Sequence, residues 1–189
     1  QREEDHRQLG LTWKTRHARG WNASVVATDY QILTDADRTS NAPPGTSLPD
    51  AGRVTRRDGT GWNTLELQTT YTPTPDDWTG GRHALTLGLH RNQYTLDNVV
   101  NKTGSDWVNG ETSNDQFYKG MTTITALYAQ DAWRLHEDWL LTSGLRWESF
   151  RSSDGSQYFS GVPTLNFADR KITALSPKLS LSWSARDDL

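Results

Sequence analysis

Few stretches of this sequence have the residue types and spacing that catalysis or metal binding requires. Residues 136–140 begin His-Glu like a zinc-protease helix, but Leu140 stands where that motif needs its second histidine, so we interpret the segment as a turn. The chain has no Gly-x-Ser-x-Gly elbow and no glycine-rich phosphate loop. Two acidic pairs could offer oxygens to a cation and are interpreted as solvated turn carboxylates: Asp35 with Asp37, and Asp76 with Asp77. We therefore expect no enzyme activity, no metal and no cofactor.

Binding chemistry is better represented, because aromatic and charged side chains occur in polar surroundings. Aromatic rings in exposed loops can stack on flat ligand groups, and strand residues that face an enclosed interior can contact a charged ligand. The predicted ligand-binding residues are five aromatics, Trp107, Phe117, Tyr118, Tyr158 and Phe159, and three strand residues, His90, Arg146 and Glu148. The alternative interpretation is that the rings only pack the loops together and that the charges pair with another domain.

The elements that must position these residues are β-strands. From residue 139 onward, Leu141, Leu145 and Trp147 fall on one parity, and Arg146 and Glu148 fall on the other. Side chains two apart in a strand share a face, so this segment has an apolar face and a polar face. The same alternation predicts seven strands, at residues 8–14, 21–33, 62–72, 82–97, 121–135, 139–152 and 173–184. Residues 1–6 are highly charged, and we expect them to form a loop.

Composition excludes several classes of protein. The 189 residues carry a net charge of −3, which does not suggest a nucleic-acid partner, and they include no cysteine, which excludes disulfides and thiolate metal sites. No run of about 18 apolar residues predicts a transmembrane helix, and the mean hydropathy is −0.79. A low average is compatible with a membrane barrel, because its lumen and loops are polar. The chain begins at Gln1 without a signal peptide, so we interpret it as a piece of a longer protein.

The predicted connections alternate in length. Residues 16–20, 73–81 and 136–138 are short connections, and residues 34–59, 98–120 and 153–171 are long ones. Outer-membrane barrels have short periplasmic turns and longer extracellular loops, whereas the loops of a sandwich need not alternate. The fold class predicted is therefore all-β, an antiparallel transmembrane β-barrel segment of about seven strands.

Charges and tryptophans support the barrel. Mid-strand charges such as Lys14, Glu66 and Lys178 lie opposite the leucine-rich parity, as expected if that parity meets lipid, where Arg or Lys costs about 2–4 kcal/mol at the midplane. Parity alone does not distinguish this arrangement from a soluble sandwich, whose apolar parity points inward. Aromatics near the short connections are typical of an interfacial girdle: Trp13, Trp21, Tyr71, Trp78, Trp133, Trp139 and Trp183.

Two segments carry a resemblance to a known family. Tyr-Ala-Gln-Asp-Ala-Trp, a short turn and then Trp-x-Leu-Thr-x-Gly-x-Arg-Trp-Glu, within residues 123–148, resemble the middle of the barrel of TonB-dependent outer-membrane receptors. Residues 176–183, Ser-Pro-Lys-Leu-Ser-Leu-Ser-Trp, resemble the following strand. The rest of residues 1–189 shares the rhythm of that barrel domain more loosely. The resemblance implies an all-β fragment of a barrel of about 22 strands, without the plug domain and the segment that contacts TonB.

The resemblance also implies a function. Such receptors lie in the Gram-negative outer membrane, bind a scarce ligand such as a ferric siderophore or another iron complex, and import it with energy that TonB transmits through the plug. The expected partners are outer-membrane lipid, the ligand and TonB, the last through the plug. Two alternatives stay open: a passive outer-membrane porin, and a soluble all-β carbohydrate-binding or propeller module. Parity does not decide which face carries Tyr128 and which carries Asp131, and we expect the segment not to fold stably alone.

Overall fold

The computed structural model describes residues 1–42 and 51–184. All of the regular elements assigned within these residues are β-strands. The strands are β1 (Arg2–Lys14), β2 (Gly20–Ser40), β3 (Gly52–Arg56), β4 (Gly61–Thr72), β5 (His83–Lys102), β6 (Asn114–His136), β7 (Trp139–Phe159), β8 (Leu165–Asn166) and β9 (Arg170–Trp183). They form a single antiparallel sheet with the order β1-β2-β3-β5-β6-β7-β8. Strand β4 shares the position of β3 between β2 and β5, and β9 shares the position of β8 beside β7. The described residues contain no helix that is long and apolar enough to cross a membrane.

Two positions across the sheet hold two strands each. β3 and β4 both pair with β2 and β5, with β3 nearer the long connections and β4 nearer the short turns. In the same way, β8 and β9 both pair with β7. The seven predicted strands correspond to β1, β2, β4, β5, β6, β7 and β9. The all-β, antiparallel prediction is therefore confirmed, and β3 and β8 are additions that the sequence pattern does not indicate.

The strands also extend further toward the long connections than the alternation predicts. The expected N-terminal loop is wrong, because β1 begins at Arg2. The three long loops are shorter than predicted, since β2 runs to Ser40, β5 to Lys102 and β7 to Phe159. Polar residues occur on both faces in these extensions, so no continuous apolar stripe marks them, and backbone pairing with the neighbouring strand forms them instead. The part of the first predicted loop at residues 43–50 lies outside the described residues.

The register aligns the apolar stripes of separate strands into one face, which we call the apolar face. Directly opposed residues of neighbouring strands share a face, so rows can be followed across the sheet. One row is apolar at every position: Trp13, Val25, Leu67, Leu89, Leu127, Trp147 and Leu175. The opposite side of the sheet is the polar face.

The apolar face is the exposed one. Leu127 is 49% exposed, whereas its neighbour Ala126 on the polar face is 0% exposed. Along β7, residues 143, 145 and 147 are exposed and residues 144, 146 and 148 are half-buried. Within the described residues, strands contact only their hydrogen-bonded neighbours, so no second sheet covers the leucines. This arrangement contradicts the soluble sandwich, in which the apolar parity would be buried between two sheets.

The register also decides the positions of Tyr128 and Asp131. Tyr128 lies opposite Arg146 on the polar face, whereas Asp131 lies opposite Leu85 and shares the apolar parity. Asp131 is close to the short-turn end of the sheet, and its carboxylate Oδ2 lies 2.8 Å from His83 Nδ1. His83 thus supplies a polar partner for one carboxylate oxygen, whereas the other, Oδ1, is buried and has no hydrogen-bond partner within the described residues.

Aromatic rings gather at the short-turn end, as the sequence predicts. Trp139 and Trp183 lie opposite each other with ring centroids 6.0 Å apart. Trp21 packs against Tyr71 at 5.1 Å. The turn that follows β4 is held by Asp77, whose carboxylate accepts hydrogen bonds from the Thr74, Thr79 and Gly81 amides and from the Tyr71 hydroxyl.

Candidate ligand-binding site

A hydrogen-bonded cluster lies at the centre of the polar face. Glu66 Oε2 lies 2.6 Å from His90 Nδ1, and the Tyr128 hydroxyl donates to Glu66 Oε1 at 2.6 Å. The three side chains come from the adjacent strands β4, β5 and β6, and the register brings them together. Gly88 makes the arrangement possible, because a Cβ at that position would overlap the end of the Tyr128 ring. The cluster holds a carboxylate and an imidazole side by side on the polar face of the sheet.

The other two predicted strand residues lie beside this cluster. Glu148 is opposite Ala126, which is opposite His90, so the two residues belong to one row. Arg146 donates to Glu148 Oε2 from Nε at 3.0 Å and from a terminal nitrogen at 2.8 Å. The predicted residues His90, Arg146 and Glu148 therefore share the polar face, with Glu66 and Tyr128 among them.

An aromatic row lies further along the polar face, toward the long connections. The Tyr30 and Trp62 rings are stacked with centroids 4.0 Å apart. Tyr94 lies directly opposite Trp62 on the next strand, and the Tyr30 hydroxyl lies 2.6 Å from His6 Nδ1. We call His6, Tyr30, Trp62 and Tyr94 the aromatic row. Trp62 is 43% exposed and Tyr94 is 37% exposed, so both rings keep surface on which a flat group could stack.

Sequence reasoning missed the aromatic row. Each of its residues comes from a different strand, β1, β2, β4 or β5, and each is isolated among polar neighbours in the sequence. The sequence does indicate that Trp62 lies on the same face of its strand as Glu66, and that Tyr94 lies on the same face of its strand as His90. Their proximity follows only from the register, which the sequence pattern does not give.

The five predicted loop aromatics do not form a common surface. Four of them are in strands rather than loops: Phe117 and Tyr118 in β6, and Tyr158 and Phe159 in β7. Phe117 stacks on Tyr158 with ring centroids 5.5 Å apart. Phe117 and Leu127 lie an even number of residues apart in β6, so this ring pair is on the apolar face. Tyr118 meets Phe159 edge-on at 5.7 Å on the other side.

Trp107 is the one predicted aromatic that lies in a connection. Its Cβ is so close to Gly52 that a side chain at Gly52 would overlap it. The amide of Gly52 donates to the Thr103 hydroxyl at 2.7 Å, and Arg38 donates to the Gly110 carbonyl oxygen at 2.7 Å. The connection between β5 and β6 is therefore packed against β2 and β3, and Trp107 is part of that packing.

Ion pairs strengthen the same contact. Arg56 of β3 donates two hydrogen bonds to Glu111 Oε2, at 3.0 and 2.6 Å, and Asn101 donates to Oε1 at 2.7 Å. The hydrogen bonds from Arg56 hold the pKa of Glu111 below its usual range, although desolvation by burial opposes them. Because the charged carboxylate is the form that Arg56 and Asn101 bind, the connection is held most firmly when Glu111 is ionised.

One member of each acidic pair considered as a cation ligand has a structural role: Asp77 holds the turn after β4, and Asp35 accepts hydrogen bonds from two arginines. Asp35 is 1% exposed, so its interpretation as a solvated turn carboxylate is wrong. Arg2 and Arg57 both donate to it, at 3.2 and 3.0 Å. Burial opposes ionisation of Asp35, and these hydrogen bonds overcome it, so the net effect lowers its pKa. In the described ranges, no group of three His, Cys, Asp or Glu side chains is arranged to hold a metal ion.

Comparison with known proteins places this geometry in a family. Residues 1–189 match the family described as TonB-dependent receptor-like, β-barrel. Among solved structures, the ferric yersiniabactin uptake receptor FyuA from Yersinia pestis is similar, with a TM-score of 0.60 and 17% sequence identity. The match covers 97% of this chain and 26% of that receptor, so the chain spans about a quarter of its length. A search of curated proteins gives no match. The sheet, its exposed apolar face and the match over the whole chain together show that this chain belongs to the TonB-dependent receptor-like β-barrel family.

Proposed function

We propose that this chain forms part of the barrel wall of an outer-membrane receptor that imports a scarce ligand, a ferric siderophore or a similar iron complex. The observation that carries the proposal is the row of apolar residues that crosses all seven positions of the sheet on its exposed face. Water does not favour such a face, but acyl chains do. The polar face then borders the lumen. We propose no covalent chemistry, only binding and transport.

The polar face supports the choice of ligand. The aromatic row offers stacking surfaces, and the cluster of Glu66, His90 and Tyr128 lies deeper along the same face. A chelate with flat aromatic groups would be matched by the stacking surface of Trp62 and Tyr94. The similar structure is, by its name, a receptor for a ferric chelate, which favours iron complexes over other cargo. Membership of the receptor family argues against the passive porin.

The remaining partners follow from the same proposal. His90, Arg146 and Glu148 would face either the ligand or a plug domain inside the barrel. The plug would carry the contact with TonB and couple import to inner-membrane energy. The lipid of the outer membrane would cover the apolar face. These residues are therefore proposed as lumen contacts, and the aromatic row is added to them.

Deletion of the gene tests the proposal. A deletion strain should lose growth on one or more ferric chelates supplied as sole iron source and regain it with the intact gene. Trp62→Ala in the full-length receptor should weaken binding of that chelate about tenfold, the upper range for loss of a stacking contact. The control is Trp21→Ala, which removes a similarly exposed ring from the short-turn end.

Two results would contradict parts of the proposal. Normal growth of the deletion strain on all ferric chelates, with loss of growth on another scarce nutrient, would remove the iron complex and keep the receptor. Equal affinity of the Trp62→Ala and Trp21→Ala receptors would show that the aromatic row is not the ligand surface. Recovery of the full-length protein in the soluble fraction would contradict the outer-membrane placement itself.

A further inference from the structure

Three basic side chains lie on the apolar face, just beyond the row that is apolar at every position. Counting from that row toward the long connections, Arg91 is in the next row, opposite Thr125. Arg151 and Lys171 are in the row after it, directly opposite each other on β7 and β9. We call Arg91, Arg151 and Lys171 the basic rim. It lies at the level where the side chains of this face change from leucine to polar residues.

The basic rim borders one cavity of about 300 Å³. The remaining lining residues are Thr123, Thr125 and Ser149. All six side chains can donate hydrogen bonds, and none of them is a carboxylate. A cavity lined only by cations and hydroxyls is suited to an anion with several acceptor oxygens, such as a phosphate group.

The charges of the basic rim are not balanced within the described part of the chain. Arg151 pairs with Asp169 at 2.7 Å, but neither Arg91 nor Lys171 has a carboxylate partner among the ion pairs of residues 1–42 and 51–184. Like charges directly opposite each other destabilise a strand pair, and Arg151 and Lys171 are such a pair. A bound anion would remove that repulsion.

Other cations on the same face are compensated. Arg7 pairs with Asp29 at 3.3 Å, and Lys119 pairs with Asp97 at 2.9 Å. Both ion pairs are on the apolar face, nearer the long connections than the fully apolar row. The uncompensated positive charge is thus confined to the strands β5 to β9, where the cavity is.

We propose that the basic rim binds the phosphate groups of an anionic lipid, whose acyl chains lie along the apolar row below it. That row supplies Leu127, Trp147 and Leu175 directly beneath the cavity. The proposal rests on the proposed placement of the apolar face in the outer membrane, with the long connections outside. There the rim is at the height of the outer-leaflet headgroups, so one lipid meets both its charged and its apolar contacts. This assigns a specific lipid site to the outside of the barrel, separate from the ligand site in the lumen.

Native mass spectrometry of the full-length receptor in a neutral detergent tests the lipid site. The probes are bisphosphorylated lipid A, the same lipid after enzymatic removal of its phosphates, and inorganic phosphate. The unmodified receptor should retain the phosphorylated lipid about tenfold better than the dephosphorylated one, the effect of one charge-assisted hydrogen bond. The double variant Arg151→Gln/Lys171→Gln should lose that preference.

The control variant is Arg134→Gln/Lys178→Gln, which removes two positive charges from the polar face of the sheet, and it should keep the preference. Equal retention of the two lipids by the unmodified receptor would overturn the proposal without any variant, so failure of a variant to fold does not prevent a decision. Competition by inorganic phosphate at the same concentration as the lipid would show a plain anion site and would also overturn it. Failure of the unmodified receptor to retain the phosphorylated lipid, although it reaches the outer membrane and imports its ligand, would overturn only this inference.

Discussion

Gly88 is the position where a single methyl group should disturb the polar face. The side of Gly88 that would carry a Cβ is filled by the end of the Tyr128 ring. Gly88→Ala therefore requires the ring to move, because the backbone of a central strand is held on both sides by neighbours. The movement separates the Tyr128 hydroxyl from Glu66, which it now reaches at 2.6 Å.

The expected cost follows from that lost contact. A hydrogen bond to a charged acceptor contributes about 1.5–3 kcal/mol, and partial exposure of Glu66, whose side chain is 32% exposed, places the value at the lower end. Replacing glycine by alanine inside a strand would by itself stabilise by about 0.5–1 kcal/mol. The net effect should be a loss of about 1 kcal/mol in the free energy of unfolding.

A double-mutant cycle separates the two contributions. The full-length receptor would be unfolded with guanidinium in lipid vesicles, for the unmodified protein, Gly88→Ala, Tyr128→Ala and the double variant. Gly88→Ala should destabilise the unmodified protein but be neutral or stabilising once Tyr128→Ala has removed the ring. The same destabilisation in both backgrounds would refute the reasoning, because the methyl group would then be acting on the backbone and not through Tyr128.

Two further predictions concern the apolar face and the connection between β5 and β6. Leu127→Arg should destabilise the barrel in vesicles by about 2–4 kcal/mol, whereas Gln130→Arg, on the polar face of the same strand, should cost little; similar losses for both would contradict the assignment of lipid to the apolar face. Because the pKa of Glu111 is lowered in the folded protein, its contribution is present above the unfolded-state pKa, about 4.3 for Glu, and is lost as pH falls through the folded value. Protection of the amides of residues 103–113 against hydrogen exchange, corrected for the intrinsic pH dependence of exchange, should therefore fall below about pH 4. Glu111→Gln should remove most of that fall, and an unchanged profile in the variant would exclude Glu111 as the titrating group.

The part of the fold that carries the apolar face is predictable from the sequence, because side chains along a strand alternate between its two faces with a period of two. Leu85, Leu87 and Leu89 mark β5 by alternation alone, and Leu145 and Trp147 mark β7. The short turns are also readable, since Asp77 and Gly81 are typical turn residues. Where a strand has one apolar face, its sequence therefore contains enough information to place it.

The parts that the sequence does not predict are those without a continuous apolar stripe on either face. Residues 98–101 of β5 pair with residues 114–118 of β6, and their local pattern has no alternation that would distinguish them from a loop. Asp29 interrupts the apolar parity of β2, yet β2 continues past it to Ser40, and Asp29 pairs with Arg7 of β1. The aromatic row is harder still, because a contact such as Tyr30 on Trp62 depends on how two distant strands are aligned.

The long polar extensions of the strands have a consequence for how a large object meets this protein. β6 has 23 residues, which at about 3.3 Å each is roughly 75 Å of strand, and a tilt of about 40° leaves a height of roughly 58 Å, against an apolar band of about 25 Å. On the proposed placement in the outer membrane, more than half of the wall would stand clear of the bilayer as a hydrogen-bonded sheet. On that placement, a large partner at the cell surface, such as an antibody or a phage tail fibre, would bind ordered strand surface, and the proposed ligand would have to pass this surface before it reached the lumen.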